Sequence, residues 1–143
     1  MSPRWEPNNN IRRGRSAVWN LHVHLVFVTK YRRGALTQPI LDRCHQIMAD
    51  VCRDFNATLV EFNGEEDHVH LMIHYPPTVE LSKLVNSLKG VSSRLLRKEF
   101  WNHLRKFLWG DRLWSPSYFV ASCGGAPLEI VKQYINNQKI PPS

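Results

Sequence analysis

Two stretches of this 143-residue chain carry side chains whose type and spacing could do chemistry. Residues 67–74 read Asp-His-Val-His-Leu-Met-Ile-His, and near the C-terminus Tyr134 stands four residues before Gln138. In a strand successive side chains alternate faces, so His68 and His70 project together while Val69, Leu71 and Ile73 project the other way. Paired imidazoles on one face can chelate a metal ion, and the aliphatic face can pack on helices. His22-Val23-His24 repeats the same spacing, and for either pair a polar lining is as consistent with the periodicity as a metal site. Tyr134 and Gln138, at i and i+4, project from one side of a helix. They lie at the edge of the stripe Leu128, Val131 and Ile135, so a semi-buried tyrosine beside a solvated amide is the alternative reading.

The elements that must position these groups follow from periodicity and turn chemistry. Leu21 to Thr29 alternates, with Leu21, Val23, Leu25 and Phe27 on one face, and predicts a first strand. A basic loop, Lys30 to Gly34, leads to Thr37 as N-cap and Pro39 in a first helical turn. Ile40, Leu41, Cys44, Ile47, Met48, Val51, Cys52 and Phe55 then recur at helical spacing to about Asn56. Thr58 to Phe62 and His68 to Tyr75 read as an antiparallel hairpin around a turn at residues 63–67, which puts His68 and His70 at the head of a strand. Pro76-Pro77-Thr78 ends the hairpin and caps a second helix with the stripe Leu81, Leu84, Val85, Leu88, Val91, Leu95 and Leu96. After an aromatic, basic connector, Tyr118 to Ser122 predicts a fourth strand. Gly124-Gly125 breaks it, and Pro127 opens a last helix reaching about Lys139. The order β-α-β-β-α-β-α predicts an α+β, ferredoxin-like antiparallel sheet with a C-terminal helix carrying the tyrosine.

Lys and Arg number 19 against 12 Asp and Glu, a net charge of +7, which favours an anionic partner and above all nucleic acid. Residues 1–16, polar and basic, predict a flexible N-terminal arm ahead of a single domain at 17–143. Three cysteines at scattered spacing make no disulfide framework; Cys44 and Cys52 fall on a helix stripe as buried thiols, in keeping with a cytoplasmic protein. No segment has the length and apolarity of a membrane span.

The combination of His68-Val69-His70 opening a strand with Tyr134-x-x-x-Gln138 on a terminal helix resembles the HUH superfamily. Within it, the likeness is to the small single-tyrosine transposases of bacterial insertion sequences, the TnpA type that moves single-stranded DNA. Further matching segments are His24 to Arg33, Asp67 to Leu71, Leu88-Lys89-Gly90 and Leu113 to Tyr118, in an order covering about residues 19–139. Only the basic arm and the extra His22 depart from the pattern. The resemblance implies that Tyr134 is the nucleophile of a DNA endonuclease and strand transferase working through a 5′-phosphotyrosine intermediate. It implies that His68, His70 and Gln138 bind Mg²⁺, with Mn²⁺ as a substitute, and that DNA hairpins are recognised. It implies a homodimer in which a tyrosine helix hinged at Gly124-Gly125 can serve the partner's site. His22 and His24 then line the same face without being ligands, and His74, about 20 Å along the strand from His68, is too far to join them.

For DNA contacts, charge singles out Lys30, Arg32 and Arg33 in the first loop and Lys89, Arg94 and Arg97 on the second helix. Trp101, Trp109 and Trp114 are candidates for base stacking, although Trp114 equally suits the core. Two other readings stand beside this one: a non-catalytic ferredoxin-like nucleic-acid-binding domain, and a repeat-associated HUH nuclease. A zinc hydrolase would call for further His, Cys or Asp ligands at suitable spacing, and none stands out.

Overall fold

In the computed structural model, residues 12–13, 18–30, 34–108, 112–122 and 134–136 are described. Two short strands, β1 (Arg12–Arg13) and β2 (Val18–Trp19), pair with each other, where the sequence reading placed no strand. The body is built from β3 (His22–Val28), α1 (Gln38–Asp54), β4 (Thr58–Gly64), β5 (His68–His74), α2 (Leu81–Glu99), a four-residue α3 (Trp101–Leu104) and β6 (Phe119–Ser122). The sheet order is β4-β5-β3-β6 and every neighbouring pair is antiparallel, the ferredoxin-like arrangement expected from the element order.

Alternation along the strands decides which face is covered. Val23, Leu25 and Phe27 of β3 and Val69, Leu71 and Ile73 of β5 are buried with the stripes of α1 and α2 in one core. Each fully buried Leu, Ile or Phe side chain contributes roughly 1.5–3 kcal/mol, so this face carries most of the fold's hydrophobic stabilisation. A two-pronged ion pair from the Arg43 guanidinium to Glu99, at 2.7 and 3.0 Å, links α1 to the end of α2.

Several boundaries moved for physical reasons. Thr37 does cap α1 by position, without a side-chain bond, and Asn56 takes a left-handed φ of 58° just beyond the helix end, which asparagine tolerates well. The N-cap of α2 is Glu80, not the Thr78 region, because residues 76–79 form a turn first, with Val79 N–H donating to the Pro76 carbonyl. β4 continues to Gly64, two residues into the expected turn. A methyl group there would lie 2.4 Å from Leu41 Cδ2, so a larger residue would make the Leu41 side chain shift where α1 packs on the hairpin end that precedes His68. Ser92 and Ser93 are buried in the α2 stripe, which reading apolar residues alone leaves out.

Gln138, Gly124-Gly125, Pro127, Arg32, Arg33, Trp109 and the limits of the last helix lie outside the described residues, as does most of the 1–16 arm. No described helix is long and apolar enough to cross a membrane.

Candidate active site

The second face of the sheet carries the polar residues. Register puts His22, His24, Val26 and Val28 of β3 opposite His74, Met72, His70 and His68 of β5. Asn63 and Glu61 of β4 stand beside His70 and Met72, and Phe119 of β6 stands beside Val26. His70, Val26 and Phe119 therefore form one row across three strands.

Both histidines of the 68–70 pair are held by a neighbour through the same ring atom. His68 Nδ1 lies 2.8 Å from Asp67 Oδ1, and both side chains are buried. The Asp67 carbonyl in turn accepts bonds from Thr29 N–H (2.9 Å) and the Thr29 hydroxyl (3.2 Å), tying the hairpin turn to the end of β3. His70 Nδ1 lies 3.1 Å from His24 Nε2, a diagonal contact between strands. With both Nδ1 atoms engaged, each ring keeps Nε2 for another ligand, and such fixing of a ring by a carboxylate or second polar group is usual for metal-binding histidines. Burial, with the nearby His68 and His24 imidazoles, pushes the His70 pKa down to about 4. Burial also lowers that of His24, against the pull of the Glu61 carboxylate. At neutral pH both rings are uncharged, the form that binds metal. The rings of His68 and His70 meet at 77° with centroids 5.0 Å apart.

Among the described residues no group of three or more His, Cys, Asp or Glu side chains could hold a metal. The pair fits an ion only if a further ligand of another kind completes it, as an amide oxygen from the terminal helix would. A zinc-type set is not assembled among the described residues.

Tyr134 is placed on this same face. Ile135 is buried against Val26 and Val28, and the Tyr134 ring packs on Phe119 with centroids 5.8 Å apart. Strands lie about 4.8 Å apart, so the backbones at His70 and Phe119 are separated by about 10 Å. Tyr134 Oη lies 3.0 Å from Ser117 Oγ. Burial raises the Tyr134 pKa, with the Ser117 bond opposing, so the phenol is protonated at neutral pH.

Lys89, singled out above as a DNA contact, has further partners. Its Nζ donates to the carbonyls of Ser115 (2.7 Å) and Pro116 (3.1 Å) and lies over the Phe27 and Tyr118 rings. The lysine thus anchors the segment that presents Ser117 to Tyr134. Of the other cations, Arg97 donates to Ser93 Oγ at 3.2 Å, Lys30 is half-buried, and Arg94 is exposed beside Gly90 in a groove of about 530 Å³. Trp114 belongs to the core, its indole N–H donating to Ser92 Oγ at 2.9 Å, whereas Trp101 is 52% exposed.

The twin pair separates by position. His22 stacks on His74 at 4.3 Å, at the opposite end of β3 and β5 from His68. His24 falls near the His70 end and serves that ring. Sequence reasoning missed the Asp67, His24 and Ser117 contacts. Only Asp67, an acid directly before the histidine in a turn, left a local signal; the other two depend on register between distant segments.

Comparisons with known proteins give the family and the fold. The profile of the IS200-like transposase family matches residues 17–138. The ISDra2 transposase TnpA of Deinococcus radiodurans is 29% identical over 128 residues, covering 90% of this chain and 91% of that protein. The transposase for insertion sequence element IS200 of Salmonella typhimurium is 31% identical over 121 residues, covering 84% and 78%. A crystal structure from Deinococcus radiodurans, provisionally described as a transposase, superposes with a TM-score of 0.78 at 33% identity, over 90% of this chain and 98% of that one. A REP-associated tyrosine transposase bound to a REP hairpin shares the fold, at TM-score 0.56 and 11% identity, over 87% and 68%. With sheet order, paired histidines and a tyrosine on the same face all in place, the chain belongs to the IS200-like family of HUH single-tyrosine transposases.

Proposed function

We propose that this protein cuts and rejoins single-stranded DNA at insertion-sequence ends through a 5′-phosphotyrosine intermediate, with Tyr134 as nucleophile. The observation that carries the reading is the packing of Tyr134 on the face that presents His68 and His70. In the cleavage step a bond forms between Tyr134 Oη and phosphorus and the bond from phosphorus to O3′ breaks. The phenolic proton passes to solvent and O3′ takes up a proton, leaving a free 3′-hydroxyl. The phosphotyrosine keeps the ester-bond energy, so a later 3′-hydroxyl can attack it and restore a phosphodiester without ATP.

His68, His70 and Gln138 would hold a divalent ion, magnesium or manganese, which when bound supplies Lewis-acid stabilisation of the charge on the phosphate. Asp67 and His24 orient the two imidazoles, and burial keeps His70 neutral and ready to bind. The Ser117 hydroxyl lies in hydrogen-bond contact with Tyr134 Oη and favours the ionised phenolate, so it supports loss of the phenolic proton during attack. The net charge of +7 suits a nucleic-acid partner, and the relative captured on a REP hairpin makes hairpin DNA the probe to use. We take the working unit to be a homodimer.

The test is a covalent adduct. Labelled single-stranded oligonucleotides carrying hairpins are incubated with protein and Mg²⁺ or EDTA and run on a denaturing gel. A shifted band that needs both the metal and Tyr134 supports the reading; DNA binding with no adduct under any metal means a binding module instead. Mixing Tyr134→Phe with His68→Ala protein then reports subunit sharing, because only a site assembled from two chains recovers the adduct.

A further inference from the structure

Beside His70, on the side away from Tyr134, the open face holds a cavity of about 350 Å³ that the cleavage chemistry does not use. Its walls are the His24, His70 and Met72 side chains, and its outer rim is Glu61 and Asn63 of the edge strand β4. We propose that this cavity receives the nucleobase immediately 5′ of the scissile phosphate and favours cytosine or adenine over thymine. The inference rests on the reading of Tyr134 as nucleophile and adds a base-reading subsite to it.

The argument for position is geometric. In-line displacement at phosphorus puts the attacking and departing oxygens on opposite sides of the phosphate. Tyr134 sits over β3 and β6, and the histidine pair that would carry the phosphate sits on β5. The departing O3′, and the nucleoside attached to it, must then extend toward β4, where the cavity opens. Its volume lies within the range of about 300–1,000 Å³ usual for small-ligand sites.

The argument for chemistry comes from the rim. An ionised glutamate only accepts hydrogen bonds and repels phosphate, so the cavity suits an uncharged base and not a second phosphate. Glu61 and His24 line the same cavity, so the carboxylate faces whatever occupies it. Asn63, two residues on and on the same face, offers both a donor and an acceptor. Cytosine and adenine each present an exocyclic amino donor beside a ring-nitrogen acceptor, which Glu61 and Asn63 complement. Thymine presents a carbonyl oxygen where the amino group would be, against the carboxylate. The imidazoles and the Met72 thioether supply flat and polarizable walls for the ring.

The decisive comparison is binding of the oligonucleotides dC10 and dT10 by fluorescence anisotropy, in EDTA so that no cleavage intervenes. Backbone charge is the same in both, so their ratio isolates the base. Native protein should favour dC10 by at least about fivefold, the lower end of a good base contact, and Glu61→Ala should bring the ratio close to one. Glu61 is exposed on an edge strand, so its replacement leaves the core intact. With methyl-labelled methionine, 2′-deoxycytidine should shift the Met72 signal and leave the buried Met48 signal in place. Equal affinities, a ratio that survives Glu61→Ala, or an unmoved Met72 would overturn the subsite. Position is tested by sequencing the 3′-hydroxyl fragments released from a pool randomised beside a hairpin. Thymine should be depleted at the last nucleotide with native protein and restored by Glu61→Ala. Adducts without that depletion sink the subsite alone, whereas absence of any Tyr134-dependent adduct sinks the proposed function with it.

Discussion

The two faces of the sheet are built from the same strands, residue by residue in alternation, and differ in almost everything else. On one, Val23, Leu25, Phe27, Val69, Leu71 and Ile73 meet two long helices and are sealed from water. On the other, His22, His24, His68, His70 and His74 stand beside a small apolar patch, Val26, Val28 and Ile135; His22, His68 and His74 are buried there, while His24 and His70 are only partly covered. The first face holds the fold and the second is left to present chemistry. The lesson is a division of labour at a spacing of one residue: a covered face rigid enough that the open one can keep imidazoles, a phenol and a carboxylate at fixed mutual positions.

If that division is real, the two faces must fail differently. His70→Ala or Tyr134→Phe should lower adduct formation by about a thousandfold or more, since each removes a participant in the displacement, while the urea midpoint moves little. Phe27→Ala, one strand away and pointing the other way, should cost about 3–5 kcal/mol of stability by urea unfolding. A large loss of stability in His70→Ala would break the comparison, because the open face would then be part of the core.

A smaller effect sharpens it. Asp67 touches no substrate in this reading, yet it fixes His68 through Nδ1, as His24, a wall of the proposed base cavity, fixes His70. Asp67→Ala should weaken Mn²⁺ binding about 10–100-fold by titration calorimetry, the usual loss when a supporting partner of a metal-binding histidine is removed. An unchanged affinity would mean that the ring is held by packing alone.

How far the sequence led can be judged from these residues. Alternation in 21–29 and 68–75 separates the two faces, and helical spacing in 40–55 and 81–96 supplies the cover, because burial imposes a period that the chain must obey. Alternation puts His68 and His70 on one face but does not distinguish them from His22 and His24; the hairpin context and the Tyr134 to Gln138 spacing do that. The contacts that tune the site were not legible. His24 meets His70 only because β3 and β5 pair in one register, and Lys89 reaches Ser115 and Pro116 only because α2 crosses above that segment. A basic residue on a helix looks the same in sequence whether it faces DNA or a pair of carbonyls. The buried Ser92 was hidden similarly, since its partner Trp114 is distant in the chain.

The segment from Lys89 to Ser117 joins the two faces and gives a further test. Lys89→Met should keep most of the apolar stem and lose both carbonyl bonds, loosening the presentation of Ser117; Ser117→Ala removes the contact to Tyr134 directly. Each should slow adduct formation by roughly tenfold at saturating DNA, about the 1.4 kcal/mol expected of one well-placed hydrogen bond. Ser117→Thr should recover most of the rate. If Lys89→Met instead weakens DNA binding with an unchanged rate at saturation, its ammonium faces the DNA after all.

The smallest effect concerns the covered face alone. Burial pushes the thiols of Cys44 and Cys52 up to about 12, from ordinary values near 9. Between those two values the unfolded chain releases thiol protons that the folded chain retains, so folding stability should fall as pH rises from about 9 toward 12. Below pH 9 the two thiols should add no slope. Chemical denaturation at pH 8 and pH 10 of a Cys123→Ser protein, with and without Cys44→Ala, isolates the contribution: the alkaline loss should shrink when Cys44 is absent. At pH 8 both thiols should also react with a disulfide reagent only as fast as the protein unfolds, because a buried, protonated sulfur is neither accessible nor nucleophilic. Rapid labelling in the folded state would show α1 opening away from the sheet, and the face assigned to holding the fold would then be mobile.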